Sequence, residues 1–181
     1  MIHKGTKVLE TERLILRKFK IEDAQNMFNN WASNPNVTKY LTWGPHESVE
    51  ITNLIINDWL KGYGEDNFYQ WAIEVKEIGE PIGSISVVRI NENVNEVEIG
   101  YCIGEKWWHQ GYTSEAFKRV IEFLFDEVGV KRICAKYDTD NPNSGRVMLK
   151  CGLECEGTLR KAGRNSNNTI CDLAVYSILN Y

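Results

Sequence analysis

The sequence predicts a mixed α/β fold, in which a mainly antiparallel sheet contains a central parallel strand pair and is flanked by helices. Some segments alternate apolar and polar residues with the two-residue period of a half-buried strand. Others repeat their apolar residues with the period of an amphipathic helix. Most strands are joined by short turns, which implies antiparallel pairing, whereas residues 95–103 and 130–137 are joined by a helix and should pair in parallel.

The first half of the chain begins with a predicted strand from Leu9 to Phe19. Helices are predicted from Ile21 to Trp31 and from Glu47 to Leu60, since each carries apolar side chains on one face. A loop containing Asn34-Pro35 and Trp43-Gly44-Pro45 is expected between them. A meander of three strands then follows, with polar turns at 77–81 and 91–93 and strands at 68–75, 82–90 and 95–103.

The second half returns to the helical period from Thr113 to Val128, and Gly129 should end that helix. Val130 to Tyr137 is the next predicted strand. Asn141-Pro142-Asn143-Ser144 has the residue types of a helix start, and the short helix that follows should end at Gly152. The last two strands, at 154–161 and 170–179, are expected to form a hairpin around an Asn-rich loop.

Composition limits the function classes. A chain of 181 residues fits one domain, residues 1–181, with a full hydrophobic core. A net charge of −4 argues against direct nucleic-acid binding, and no apolar run reaches the ~20 residues that span a membrane. The five cysteines are odd in number and contain no C-x-x-C pair, so neither a disulfide framework nor a metal site is expected. Reduced thiols and the absence of a secretory signal favour a cytoplasmic protein.

The segment from Glu96 to Ala116 is the part of the sequence that is most informative about function. It comprises a strand, a glycine-containing loop and the start of a helix, where free backbone N–H groups and the helix dipole favour a phosphate. Gly111 allows the backbone to approach such a ligand closely. A Walker loop would need Gly-Lys followed by Ser or Thr, and a dinucleotide-binding loop would need three glycines at fixed spacing; the segment has neither.

Several motifs together resemble the GNAT superfamily of acetyl-CoA-dependent N-acetyltransferases. They are Glu98-Ile99-Gly100-Tyr101, the run from Trp108 to Ala116, and Asn141-x-x-Ser144 followed by Lys150-Cys151-Gly152-Leu153. The opening segment from Leu9 to Arg17 and the closing Asp172-Leu173-Ala174-Val175-Tyr176-Ser177 resemble the RimJ/RimL branch, which acetylates protein N-terminal amines. The resemblance covers nearly the whole chain.

The resemblance implies acetyl-CoA as co-substrate, no metal, and an amine acceptor that is a protein N-terminus or a small molecule; a homodimer is left open. In the family pattern Q/R-x-x-G-x-G/A only Gly111 matches strictly, because Trp108 and Thr113 occupy the first and last positions. The family's usual tyrosine acid aligns with Met148, so that role is vacant. The expected cofactor contacts are Tyr101, Cys102, Ile103, Trp108, His109, Gln110, Gly111, Tyr112, Thr113, Ser114, Asn141 and Ser144.

For proton transfer the expected general base is Glu98, which lies two residues before Gly100 and matches a carboxylate position of the family; Glu96 is the alternative. A backbone N–H near Cys102 or Ile103 is the expected oxyanion donor. Trp43 is expected beside the acceptor. Two other functions compete: acetylation of a small amine such as a polyamine, amino acid or antibiotic, and a catalytically silent acyl-CoA sensor.

Overall fold

The computed structural model describes all 181 residues, and its strands form one eight-stranded sheet with the order β1-β2-β3-β4-β5-β6-β8-β7. All neighbouring strands are antiparallel except β5 and β6, which are parallel. This arrangement confirms the predicted fold class. The strands are Leu9–Glu10 (β1), Leu14–Arg17 (β2), Gln70–Val75 (β3), Glu80–Asn91 (β4), Glu96–Ile103 (β5), Arg132–Asp138 (β6), Glu154–Arg164 (β7) and Ile170–Leu179 (β8).

Five α-helices flank the sheet, and two of them continue into wider turns. The segment predicted as the first helix consists of three consecutive parts: a 3-10 turn at Ile21–Asp23, the α-helix Ala24–Met27 and a π-helical turn at Phe28–Ala32. The fourth continues into a π-helical turn and ends at Gly129, whose φ of 78° suits glycine. None of the helices is long and apolar enough to cross a membrane. The helices are Ala24–Met27 (α1), Pro35–Thr38 (α2), Val49–Gly62 (α3), Tyr112–Phe123 (α4) and Pro142–Lys150 (α5).

Two local predictions were wrong. The single strand predicted from Leu9 to Phe19 is instead β1 and β2, which pair with each other across a tight turn closed by a 3.0 Å bond from the Thr11 N–H to the Leu14 carbonyl. The loop predicted at Asn34-Pro35 begins α2, because the Asn34 side chain accepts the Asn36 N–H at 2.9 Å and proline suits the first helical position. Elsewhere the elements lie where they were predicted, with their ends shifted by a few residues.

The sheet is covered on both faces, and β3 shows how the side chains divide between them. Trp71 and Ile73 belong to the larger core, which α4 and α5 cover, whereas Ala72 between them belongs to a smaller core beneath α1 and α3. Phe117 and Val120 of α4 are fully buried against the sheet. Burial of each such side chain contributes ~1.5–3 kcal/mol, which fixes the helix on that face.

The parallel pair opens at one end. β5 and β6 pair only at Glu96–Arg132, Val97–Ile133 and Glu98–Cys134. Beyond that point β5 stays paired with β4 as far as Ile103, and β6 stays paired with β8 as far as Asp138. Because each strand follows its other neighbour and sheets twist, the two separate. We call the gap between residues 99–103 of β5 and 135–138 of β6 the wedge.

Candidate active site

The backbone of β5 offers unpaired groups to the wedge. The Gly104 N–H donates to the Ile82 carbonyl at 2.8 Å on the β4 side. Antiparallel strands exchange hydrogen bonds at every second residue, so the amide of Cys102 also faces β4. The amides of Tyr101 and Ile103 therefore face the wedge. Of the two oxyanion donors considered from sequence, this register favours Ile103 over Cys102.

The start of α4 borders the wedge on one face of the sheet. Gly111 precedes the helix with a φ of 82°, and His109 is also left-handed, with a φ of 61°. The amides of the first helical turn, at Tyr112, Thr113 and Ser114, have no acceptor within the helix. Together with the positive end of the helix dipole, these free amides are able to bind an anion. A Cβ on Gly111 would lie 3.5 Å from Arg13 Nη2 and 3.6 Å from Lys150 Nζ, so glycine keeps the space between them open.

Three cationic side chains, which the sequence analysis missed, surround this helix start. Arg13, Lys118 and Lys150 line a cavity of about 340 Å³ beside Gly111, together with the acidic Glu12 and Glu115 and the polar residues Gln110 and Ser114. Glu115 is neutralised by Arg13, whereas Lys118 and Lys150 have no carboxylate partner. The donor set fits a pyrophosphate. The three residues come from the turn before β2, from α4 and from α5, so no local pattern in the sequence joins them.

Arg13 also fixes the loop itself. Its Nε and Nη2 contact Glu115 Oε2 at 2.7 and 2.6 Å, and its Nη1 donates to the Gln110 carbonyl at 3.0 Å. The guanidinium lies over the Tyr112 ring, 4.3 Å from its centroid. On the other side of the loop, Trp108 Nε1 donates to the Ile103 carbonyl at 2.9 Å. The loop is thus held by Arg13, in the turn before β2, and by the Ile103 carbonyl of β5.

The N-terminal turn of α5 lies on the same face of the sheet as α4 and contacts Tyr101 of β5. The Tyr101 hydroxyl lies 2.9 Å from Ser144 Oγ and donates to the Ser144 carbonyl at 3.0 Å. Burial raises the pKa of Tyr101, so this hydroxyl keeps its proton. Asn141 occupies the N-cap position without a side-chain capping bond, which leaves its amide free for a ligand. Met148, at the family's tyrosine position, is buried in the core.

Glu98 lies at the apex of the wedge, at the last position where β5 and β6 pair. Its Oε2 accepts from Lys136 Nζ at 2.8 Å and from Arg89 Nε at 3.1 Å, while Oε1 has no partner. Both oxygens of Glu96 are occupied, by Arg89 at 2.7 Å and Arg132 at 2.6 Å. Burial opposes ionisation of Glu96, but these two hydrogen bonds outweigh it and hold its pKa below the ordinary value.

The remaining predicted residues do not suggest separate chemistry. Burial raises the pKa of Cys102, whose Sγ lies 3.4 Å from Ser84 Oγ, so it remains a thiol. His109 is exposed in the loop before α4. Trp43 is half-buried and packs, like Cys102, against the smaller core. No group of three or more His, Cys, Asp or Glu side chains is arranged to hold a metal ion.

A parallel strand pair that opens beside a helix start suited to phosphate, with a carboxylate at its apex, is the arrangement expected of an acyltransferase that uses a coenzyme A thioester. The chain belongs to the GNAT family: the model of the acetyltransferase (GNAT) domain matches residues 13–154. The protein is therefore an acetyltransferase, and GNAT acetyltransferases take the acetyl group from acetyl-CoA. The family resemblance and the enzyme class predicted from sequence are confirmed.

Relatives are known from sequence and from structure. The chain is 37% identical over 172 residues to the uncharacterized N-acetyltransferase YoaA of Bacillus subtilis, covering 95% of this chain and 96% of YoaA. It is 29% identical over 157 residues to the ribosomal protein uS5-alanine N-acetyltransferase of Escherichia coli, covering 82% and 79%. A RimL ribosomal L7/L12 α-N-protein acetyltransferase, solved with coenzyme A, shares the fold with a TM-score of 0.85 at 19% identity, covering 96% and 98%.

Proposed function

We propose that this enzyme acetylates the α-amine of a protein N-terminus, with Glu98 as the group that accepts the amine proton. The observation that carries the proposal is the open Oε1 of Glu98 at the apex of the wedge. The relative that acts on an alanine of uS5 supports a protein acceptor. Acetyl-CoA, when bound, supplies the thioester carbonyl that the amine attacks.

Each wall of the wedge has a separate role. The α4 start, Lys118 and Lys150 bind the pyrophosphate, and Arg13 holds the loop before α4 in place. The Ile103 amide stabilises the negative charge that develops on the carbonyl oxygen. As the carbon–nitrogen bond forms and the carbon–sulfur bond breaks, Glu98 takes the amine proton, directly or through a water.

The leaving thiolate does not need the tyrosine that the family usually supplies. A thiol with a pKa near ~8.5 leaves well as a thiolate. The Ser144 hydroxyl, which touches the Tyr101 hydroxyl at 2.9 Å, is the nearby protein group that can donate a hydrogen bond to the sulfur. Buried Met148 cannot take this role.

An α-amine suits a site in which a single carboxylate, that of Glu98, accepts the proton. Its pKa is near ~8, against ~10.4 for a lysine side chain, so a useful fraction is already neutral at cellular pH. Arg89 and Lys136 occupy only one oxygen of Glu98 and hold the carboxylate in a fixed orientation. We infer that the other oxygen receives the single proton that must move.

The test is a transfer screen read by release of the coenzyme A thiol. Short peptides with free N-termini are compared with the same peptides blocked at the N-terminus but carrying a lysine, and with polyamines and amino acids. Transfer to the free peptides alone, with the acetyl group placed on the α-amine by mass spectrometry, supports the proposal. Preferential transfer to small amines would replace it with the small-amine function, and thermal stabilisation by acetyl-CoA without any transfer would favour a sensor.

A further inference from the structure

A β-bulge in β4 lies directly opposite Glu98. Val87 pairs with Ile99 and Arg89 pairs with Glu98, so Val88 between them is an extra residue without a partner on β5. Val87 packs against the larger core on the α4 side of the sheet, whereas Arg89 donates to Glu98 Oε2 at 3.1 Å on the other face. Bulges re-aim side chains and are over-represented beside active sites.

The bulge directs Val88 to the same face of the sheet as Glu98. A Cβ on Gly100 would lie 2.9 Å from Val88 Cγ1, and that Cβ would point to the same face as Glu98, two residues earlier on β5. The isopropyl group of Val88 therefore covers Gly100, within the wedge. Because a strand rises ~3.3 Å per residue, this position is only ~7 Å along β5 from Glu98.

The position of Glu98 determines the face from which the acceptor approaches. Val97 and Ile99 belong to the larger core on the α4 side, so Glu98 between them lies on the other face. An amine that gives its proton to Glu98 therefore stands on the face that carries Val88. The α-carbon next to that amine brings its own side chain within reach of the isopropyl group.

Val88 is an apolar group exposed among charged ones. It is 59% exposed, whereas the groups bound to Glu98 are the cations of Arg89 and Lys136. Apolar surface that is covered by a ligand contributes favourably to binding. A short apolar side chain on the acceptor can gain this contact, while a long one must displace the isopropyl group to let the amine reach Glu98.

We propose that Val88 is a specificity-determining residue, which contacts the side chain of the acceptor's first residue and limits its size. The inference rests on the proposed function and adds to it a preference for the first residue. The bulge supplies the direction of Val88, and the missing side chain of Gly100 supplies the space that it occupies.

The kinetic test compares Val88→Ala with the wild type on three peptides that differ only in their first residue, which is glycine, alanine or leucine. In the wild type, kcat/KM should be highest for the alanine peptide. Loss of two methyl groups from a partly exposed contact should lower that value about three- to tenfold. The leucine peptide should gain relative to the alanine peptide, because the obstructing group has been removed.

Val94→Ala is the matched control. Val94 is 58% exposed and lies in the turn that joins β4 to β5, at the end of β5 away from the wedge. The same truncation at this position should leave the order of preference among the three peptides as it is in the wild type. A change in preference, rather than a general loss of activity, is therefore the result that a merely structural role of Val88 would not produce.

Gly100→Ala tests the contact itself. The added methyl group would press on Val88 at 2.9 Å, so Tm should fall and the preference among the peptides should change. Combining Gly100→Ala with Val88→Ala removes the opposing methyl groups and should recover part of the lost Tm, as expected for two residues in contact. A double variant with a Tm equal to or below that of Gly100→Ala would contradict the contact.

The outcomes separate this inference from the proposed function. A wild type that prefers the leucine peptide, an unchanged preference in Val88→Ala, or the same change in Val94→Ala would each refute the role of Val88 and leave the proposed function intact. Transfer to small amines but to no peptide would refute the proposed function. The role of Val88 is then decided by the same comparison on glycinamide, alaninamide and leucinamide.

Discussion

Glu98→Gln is expected to lower kcat by ~10²-fold or more, because glutamine keeps the size of the side chain but cannot take the amine proton. That loss corresponds to ~2.7 kcal/mol in the activation barrier. Glu96→Gln is the matched control: it also removes one carboxylate and two ion pairs on the same strand, one of them to the same Arg89. Since neither oxygen of Glu96 is open, that variant should keep its kcat.

The two variants should lose stability to a similar extent. Glu98 pairs with Arg89 and Lys136, whose side chains are 47% and 28% exposed, so the pairs are partly screened by solvent. Pairs of this kind contribute ~1 kcal/mol or less, which for a chain of this length lowers Tm by ~2–4 °C. A folded, slightly destabilised protein with a large loss of kcat is therefore the expected Glu98→Gln result, and stability alone cannot explain it.

The assay is steady-state transfer to a free N-terminal peptide across a range of pH, with Tm measured for each variant. In the wild type, kcat/KM should rise with pH towards the pKa of the acceptor amine. In Glu98→Gln the defect should shrink as pH rises, since a larger fraction of the amine is already neutral. Wild-type kcat at neutral pH in Glu98→Gln would refute the assignment, and a large loss in Glu96→Gln alone would transfer the role to Glu96.

Acetyl-CoA should raise Tm in a concentration-dependent manner, and Gly111→Val should abolish most of that shift by straining a backbone with φ of 82° and filling the phosphate site. Gly129→Val, at φ of 78° with no atom within 4 Å of its Cβ, should cost stability but keep the shift; equal effects would place the cofactor elsewhere. Trp43→Ala should raise the acceptor KM and spare that for acetyl-CoA, whereas losses for both would indicate a purely structural residue. A hydrogen bond from Arg132 lowers the pKa of Glu156 from 4.5 to about 2, so its contribution to stability is complete above pH 4.5 and is lost as pH falls towards 2. Arg132→Gln should therefore be less stable than the wild type at pH 6 in urea unfolding, by a difference that narrows near pH 3; a constant difference would contradict the pairing.

Local patterns in the sequence were sufficient for the central part of the fold. The step from β5 through α4 to β6 was predictable because the period of apolar residues changes from two to that of a helix, and Gly129 ends α4. The break between β1 and β2 was not predictable. It depends on Thr11 and Arg13, which bind Glu115 more than 100 positions later in the chain.

The candidate site likewise has parts that the sequence predicts and parts that it does not. The helix start at Gly111 could be recognised because a single segment contains all its parts. The open oxygen of Glu98 could not, because the cations that occupy the other oxygen come from β4 and β6. The preference for Ile103 over Cys102 as oxyanion donor likewise required the register between β4 and β5, which residue types alone do not determine.

The candidate phosphate site at the start of α4 has a consequence for synthesis of the protein. Its parts come from Arg13 near the beginning of the chain, Gly111 in the middle and Lys150 towards the end. A growing chain cannot assemble this site until Lys150 has left the ribosome. Stabilisation by bound acetyl-CoA is then available only to a chain that has been synthesised beyond Lys150, since a ligand stabilises a fold only once its binding site exists. Shorter translation intermediates must rely on the packing of their own side chains.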